Sequence, residues 1–168
     1  HVAVYNSVLE RLAAGPFTFF KMTRRLVRLT AVPVAHYTYA FRLPTERCGA
    51  LRGVWSDATQ LRSITDYDIR GHELLCDHEQ IWIVFPGAVG PDFWPGDFRE
   101  LFTLALMAEL ALSVREDRAL HDRLYTKAFG SPGQDGMGGM YAQVLAMDNQ
   151  AVPGDVVGGG GNPLIDVR

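Results

Sequence analysis

Between Asp97 and Val114 the chain reads DFRELFTLALMAELALSV, with apolar residues on nearly every helical face. Only Arg99, Glu100, Thr103, Glu109 and Ser113 interrupt the run after Phe98. A helix apolar almost all round must be covered on most sides, by its own chain or by other copies. Asp97 follows Pro95-Gly96 and has Glu100 three residues on, a capping-box variant that predicts the N-cap at Asp97. The stretch could just span a bilayer, but Glu109 at its middle and its small alanines assign it to the centre of a packed bundle, with no membrane partner.

The pattern elsewhere places the remaining elements around this helix. Val4, Tyr5, Val8, Leu9 and Leu12 recur at helical spacing until Gly15-Pro16, so residues 1–14 read as the end of an amphipathic helix, with further residues expected upstream of His1. Phe17, Phe19 and Phe20 are core or interface anchors. From Lys21 to Val34 strand and helix both fit, and the β-branched Thr30, Val32 and Val34 tip the balance to extended structure. His36 to Leu43 alternates as a half-buried strand, with Tyr37, Tyr39 and Phe41 on one side and Thr38, Ala40 and Arg42 on the other. Leu51 to Trp55 suits its continuation or partner. Gly71 marks a hairpin turn, and QIWIVF, residues 80–85, is a strand. Beyond the central helix, Asp117 is placed to cap a second helix running to about Phe129 with Leu120, Leu124, Tyr125 and Ala128 inward. GSPGQDGMGG breaks it, and a third helix from Met140 to about Asn149 carries Val144, Leu145 and Met147.

The fold class that results is α+β: a helical bundle with a small, mostly antiparallel β insertion and an extended C-terminal tail. Its divisions are a first bundle helix over 1–16, the β-rich insertion over 17–96, bundle helices over 97–150 and a docking arm over 151–168. Four consecutive glycines, Gly158 to Gly161, make that arm a tether, and its tip carries the apolar Leu164, Ile165 and Val167. A loose tether ending in an apolar strip suits docking on a partner.

The net charge of −3 hides a division. Residues 1–62 hold nine Lys/Arg against three Asp/Glu, whereas residues 63–168 hold seven against sixteen. Such a split fits solvated faces, a nucleic-acid patch, or two faces that meet in neighbouring copies. Arg24, Arg25 and Arg28, with Phe19 and Phe20 beside them, are the candidates to face a partner, through salt bridges to an acidic neighbour or through nucleic acid. Two cysteines without a CxxC pattern imply no disulfide framework.

Catalytic and cofactor signatures are weak. His72, Glu73, Cys76, Asp77, His78 and Glu79 form the densest group of metal-ligand types, yet strand alternation would send them to opposite faces, and a polar hairpin tip is the plainer reading. Gly158 to Gly161 lacks the Lys-Ser/Thr and the helix of a phosphate loop. Asp66, Asp68 and Glu73 would serve a carboxylate-based cell-wall hydrolase only at a spacing the sequence cannot fix. No cofactor, metal or catalytic residue is assigned, and the chain reads as a non-enzyme.

The order of pieces carries a resemblance. The first helix end followed by PFTFFK, the strand HYTYAFRLP, the hairpin YDIRGHELLCD, the strand IWIVF, the Phe-initiated Leu/Ala helix, then REDRALHDRLY and YAQVLAMDNQA, resembles the head-to-tail adaptor of tailed bacteriophages, also called tail tubular protein A, and the related adaptors of gene transfer agents. The likeness covers roughly residues 2–151. It implies a structural ring, usually of twelve copies, at the head-tail junction of the virion. The ring would sit beneath the portal protein and bear a downstream tail or nozzle protein, with DNA passing through the lumen without sequence-specific binding. It also implies that the C-terminal segment reaches the portal, here through Asn162, Pro163, Leu164, Ile165, Val167 and Arg168. The chain departs from the family at GSPGQDGMGG, which interrupts a longer helical region, and at its first helix, whose usual beginning is absent. The alternatives are a nucleic-acid-binding module using the basic first third and the hydrolase above.

Overall fold

A computed structural model of the chain describes residues 2–30 and 36–151. The helical spacing of the first residues gives α1, Val2–Ala13, which buries Val8, Leu12 and Ala13 and ends at the Gly15-Pro16 break. The Leu/Ala run forms α2, Gly96–Arg115, which at about 1.5 Å per residue is about 30 Å long. It lies at the centre, against α1, α3 (Arg118–Phe129) and α4 (Gly139–Ala151). Phe98, Leu101, Phe102, Ala105 and Ala108 are all buried along it.

The start of α2 corrects one expectation. Pro95, not Asp97, is the N-cap, and no side chain caps the helix. The proline ring holds its φ at −57°, and its carbonyl already accepts the Arg99 N–H at 3.0 Å, so the helix begins before Asp97. Asp97 then lies in the first turn, where its charge favours the helix dipole. At the other end Glu116 adopts a left-handed conformation, and the Asp117 carboxylate accepts the Leu120 N–H at 2.9 Å, capping α3 as expected.

The strands are β1 (Lys21–Arg25), β2 (Val27–Arg28), β3 (Tyr39–Arg42), β4 (Gly53–Trp55), β5 (Asp68–Arg70), β6 (Glu73–Cys76) and β7 (Trp82–Pro86). They form two antiparallel sheets where the sequence suggested one: β1-β7-β4 and β2-β3-β6-β5. Leu26 divides them. Its side chain is buried and its N–H bonds Ile81 O at 3.0 Å, so the chain leaves the edge of the first sheet after Arg25 and enters the edge of the second at Val27. Phe41, Leu74 and Cys76 of one sheet share a core with Val54, Ile83 and Phe85 of the other.

Two strand expectations change accordingly. Leu51 to Trp55 supplies β4, which pairs with β7 in register Val54↔Ile83 and not with the aromatic strand. The aromatic strand itself is shorter than drawn, and both Ala40 and Phe41 are buried, so its centre is covered on both faces. The β5–β6 hairpin matches the sequence reading: Arg70 pairs with Glu73 across a two-residue turn, and Gly71 has φ +58°, the left-handed region that glycine enters without strain.

The helical core reaches into the insertion. Phe17 and Phe20 bracket the short 3-10 turn Thr18–Phe20, and with Trp94 they close around Phe98. Phe20 is fully enclosed and Phe19 half-buried against the same core, so Phe20 is an anchor of the chain's own interior and not partner-facing. The bundle and the insertion are thus stitched at residues 17–20 and 94, inside the 17–96 division. The Asp148 carboxylate holds this stitch from α4, accepting the Thr18 N–H and hydroxyl, each at 2.6 Å. GSPGQDGMGG does break the helices, and Met147 of α4 points outward at 56% exposure. The arm residues Asn162, Pro163, Leu164, Ile165, Val167 and Arg168 lie outside the described residues.

Candidate functional site

The basic stretch that the sequence singled out forms an edge. Among the described residues β1 pairs only with β7 and β2 only with β3, and of residues 21–28 all but Met22 and Leu26 are exposed. A strand edge offers unpaired backbone donors and acceptors to any passing chain, and charge is one way proteins blunt it. Here each charge also has a neighbour within the chain. Arg24 is ion-paired with Glu46. The Arg25 guanidinium lies 5.5 Å from the centroid of the Trp82 ring, its cross-strand partner. Arg28 lies 4.3 Å from the Tyr39 ring and 4.0 Å from a Glu79 carboxylate oxygen. All three remain exposed, so each in-chain contact is weak and leaves the cation accessible.

Val27 stands out from this edge at 74% exposure, between two shallow grooves. One, of about 490 Å³, is lined by Arg25, Arg28, Phe41 and Glu79. The other, of about 250 Å³, is lined by Arg24, Arg42, Pro44 and Glu46. An arginine-rimmed apolar ridge can accept an acidic, partly apolar surface. It also rejects a basic one.

The other candidate groups are placed apart from this edge. Cys76 is buried, and burial pushes its thiol pKa up; its S–H donates to His78 O at 3.7 Å. Among the described residues no three His, Cys, Asp or Glu side chains come together as a metal-binding group. Asp66 accepts the Tyr37 hydroxyl at 2.9 Å, and Asp68 accepts Arg70 Nε at 2.9 Å. Glu73 faces Arg70 and Arg42 across the ladder. Asp66 and Asp68 are therefore engaged by a tyrosine and an arginine, and Glu73 lies in register between two arginines. The glycine run 158–161 lies outside the described residues.

Asp77 is the best-held carboxylate of the hairpin. It accepts both the Thr38 hydroxyl, at 2.8 Å, and the Thr38 N–H, at 2.7 Å. These bonds favour the charged form and hold its pKa below the usual carboxylate range, the hydroxyl first. A depressed folded pKa means that the contribution is present at neutral pH and fades as the pH falls through the folded value. Carboxyl NMR titration should therefore show Asp77 titrating below an ordinary aspartate, and Thr38→Val, which keeps only the N–H, should move it back upward. An unchanged midpoint in that variant would refute the assignment.

Sequence reasoning missed two surface features. Met107, Leu110 and Val114 of α2 line a groove of about 360 Å³ with Leu120 and Leu124 of α3, and Arg115 sits in its wall. Their helical spacing was visible, but nothing local separates such a stripe from the buried one. Phe93 stands at 77% exposure in the short turn ahead of α2, where nothing local in the sequence distinguishes it from a buried aromatic. Among the described residues no helix is long and apolar enough to cross a membrane. No known protein-family model matches the chain, and no curated protein matches it.

Proposed function

We propose that the chain is a structural connector subunit, forming a ring between the portal and the tail of a phage or phage-like particle. The observation that carries this reading is the exposed, arginine-bearing edge of residues 21–28 on a chain whose remaining two-thirds is acidic. A ring subunit needs different, complementary patches on its two sides, because heterologous contacts repeat from copy to copy. The order of elements, with a central Leu/Ala helix and a β-rich insertion ahead of it, supports the same reading through the adaptor resemblance. In this reading residues 162–168 dock on the portal.

Neutralising Arg24, Arg25 and Arg28 together to glutamine should abolish or strongly reduce ring assembly in native mass spectrometry. Wild-type rings from that variant would count against the proposal. Deleting residues 158–168 should leave the ring and remove portal binding. Retained portal binding would remove the arm from the model of docking.

A second reading draws on the same edge. Arg25 over Trp82 and Arg28 over Tyr39 are cation-aromatic pairs of the kind that also track single-stranded nucleic acid. Binding of DNA that falls steeply with salt, and is lost with the same three arginines, would favour it.

A further inference from the structure

Two features left over by the fold fit each other. Phe93 ends the 3-10 turn Pro91–Phe93, with Pro95 close behind and the buried Trp94 beside it. The Trp94 indole N–H donates to Val89 O at 2.8 Å, and Arg99 Nε donates to Trp94 O at 3.1 Å. The Phe93 ring is therefore held out from a fixed turn and loses little backbone freedom when it docks. Asp92 is exposed next to it.

The complement lies at the other end of α2. The groove between α2 and α3 is apolar and open, with Met107 at 48% and Val114 at 57% exposure, and it presents Arg115. Among the described residues neither Asp92 nor Arg115 has an ion-pair partner. Because the knob precedes α2 and the groove lies along its second half, from Met107 to Arg115, roughly 16–27 Å of helix separates them, and one copy cannot fill its own groove with its own Phe93.

We infer that Phe93 of one copy seats in the α2–α3 groove of the next, with Asp92 set against Arg115. The inference rests on the reading of the chain as a ring-forming subunit and names one contact through which copies meet. An aromatic ring in a desolvated apolar pocket supplies most of the binding energy of such a contact, and the charge pair at its rim fixes orientation. The contact is heterologous, because knob and groove are different surfaces, so every copy offers one of each.

That asymmetry gives a decisive test on the full chain by sedimentation velocity and native mass spectrometry. F93S lacks the knob and V114D spoils the groove, and each should weaken self-association about tenfold or more while circular dichroism stays wild type. Mixed together they should associate better than either does separately, since F93S keeps a groove and V114D keeps a knob. The exposed pair offers a second route that leaves the core untouched: D92R and R115D should each weaken assembly, and the double variant should restore it. Wild-type assembly in folded F93S and V114D, a mixture no better than its components, or no rescue by the charge swap would overturn the contact. Rings that persist in both variants would remove this contact and leave the ring reading standing. A wild-type chain that is monomeric at every concentration would remove both.

Discussion

Replacing Phe98 with alanine should destabilise the fold by about 4 kcal/mol, the range for a large aromatic side chain removed from a closed core. Phe98 is fully buried in the first turns of α2, and its ring meets Phe17 at 5.4 Å, Phe19 at 4.9 Å, Phe20 at 5.1 Å and Trp94 at 5.2 Å, each edge to face. Edge-to-face pairs add to the burial of apolar area, though neighbours that share one ring do not contribute independently. Those four partners come from the two ends of the β insertion, so a cavity here loosens the seam between helices and sheets as well as the bundle. For a domain stable by about 5–15 kcal/mol, the variant would be close to unfolding. Phe93→Ala, five residues away and exposed, should shift stability by less than about 0.5 kcal/mol. Urea denaturation of the two variants compares the same substitution inside and outside the core. A loss below about 1 kcal/mol for Phe98→Ala would mean that the aromatic seam is not the organising contact of the fold.

The contrast between these two phenylalanines also marks what the sequence could and could not disclose. The central helix was legible because its apolar run exceeds any alternative, and the Asp117 cap and the Gly71 turn were legible because their chemistry is local. The start of α2 was misplaced because a proline carbonyl did what an aspartate side chain was expected to do. The division of strands into two sheets depends on Leu26 meeting Ile81, a contact across more than fifty residues that no periodicity encodes. Phe19 and Phe20 share one aromatic motif, and only the fold decides that Phe20 is enclosed while Phe19 keeps partial exposure.

The candidate surface follows the same division. Arg24, Arg25 and Arg28 could be singled out from their charge and the phenylalanines before them, although their alternation with apolar residues is imperfect. Their partners Glu46, Trp82, Tyr39 and Glu79 could not, because each arrives from another strand or loop. Edge position matters most for the proposed assembly, and it is a property of sheet order, which single-sequence patterns leave open.

Arg52→Met is expected to cost about 3 kcal/mol, a large effect for a side chain that is only partly buried. Arg52 enters from the strand side, its own N–H bonding Val84 O at 2.7 Å beside β4. Its guanidinium then crosses to the turn after α1, where Nη1 donates to Phe17 O at 3.1 Å and Nη2 donates to Gly15 O. Both carbonyls lie in the turn that follows α1, and two charge-assisted bonds from one planar fork hold that turn against the strand side. Such bonds contribute about 1.5–3 kcal/mol each, reduced here by residual solvent access. Methionine keeps the apolar stem and removes the fork, so it tests the bonds apart from the packing. Lysine at this position should recover less than half of the loss, because a single ammonium does not match the fixed spacing of two carbonyls. Because Arg52 ties the sandwich core to the bundle core, the loss should also show in cooperativity. Wild type should unfold in one transition, whereas Arg52→Met should show a broader one with a smaller denaturant slope. A methionine variant within about 0.5 kcal/mol of wild type, with an unchanged slope, would mean that the aromatic seam around Phe98 alone couples the two halves.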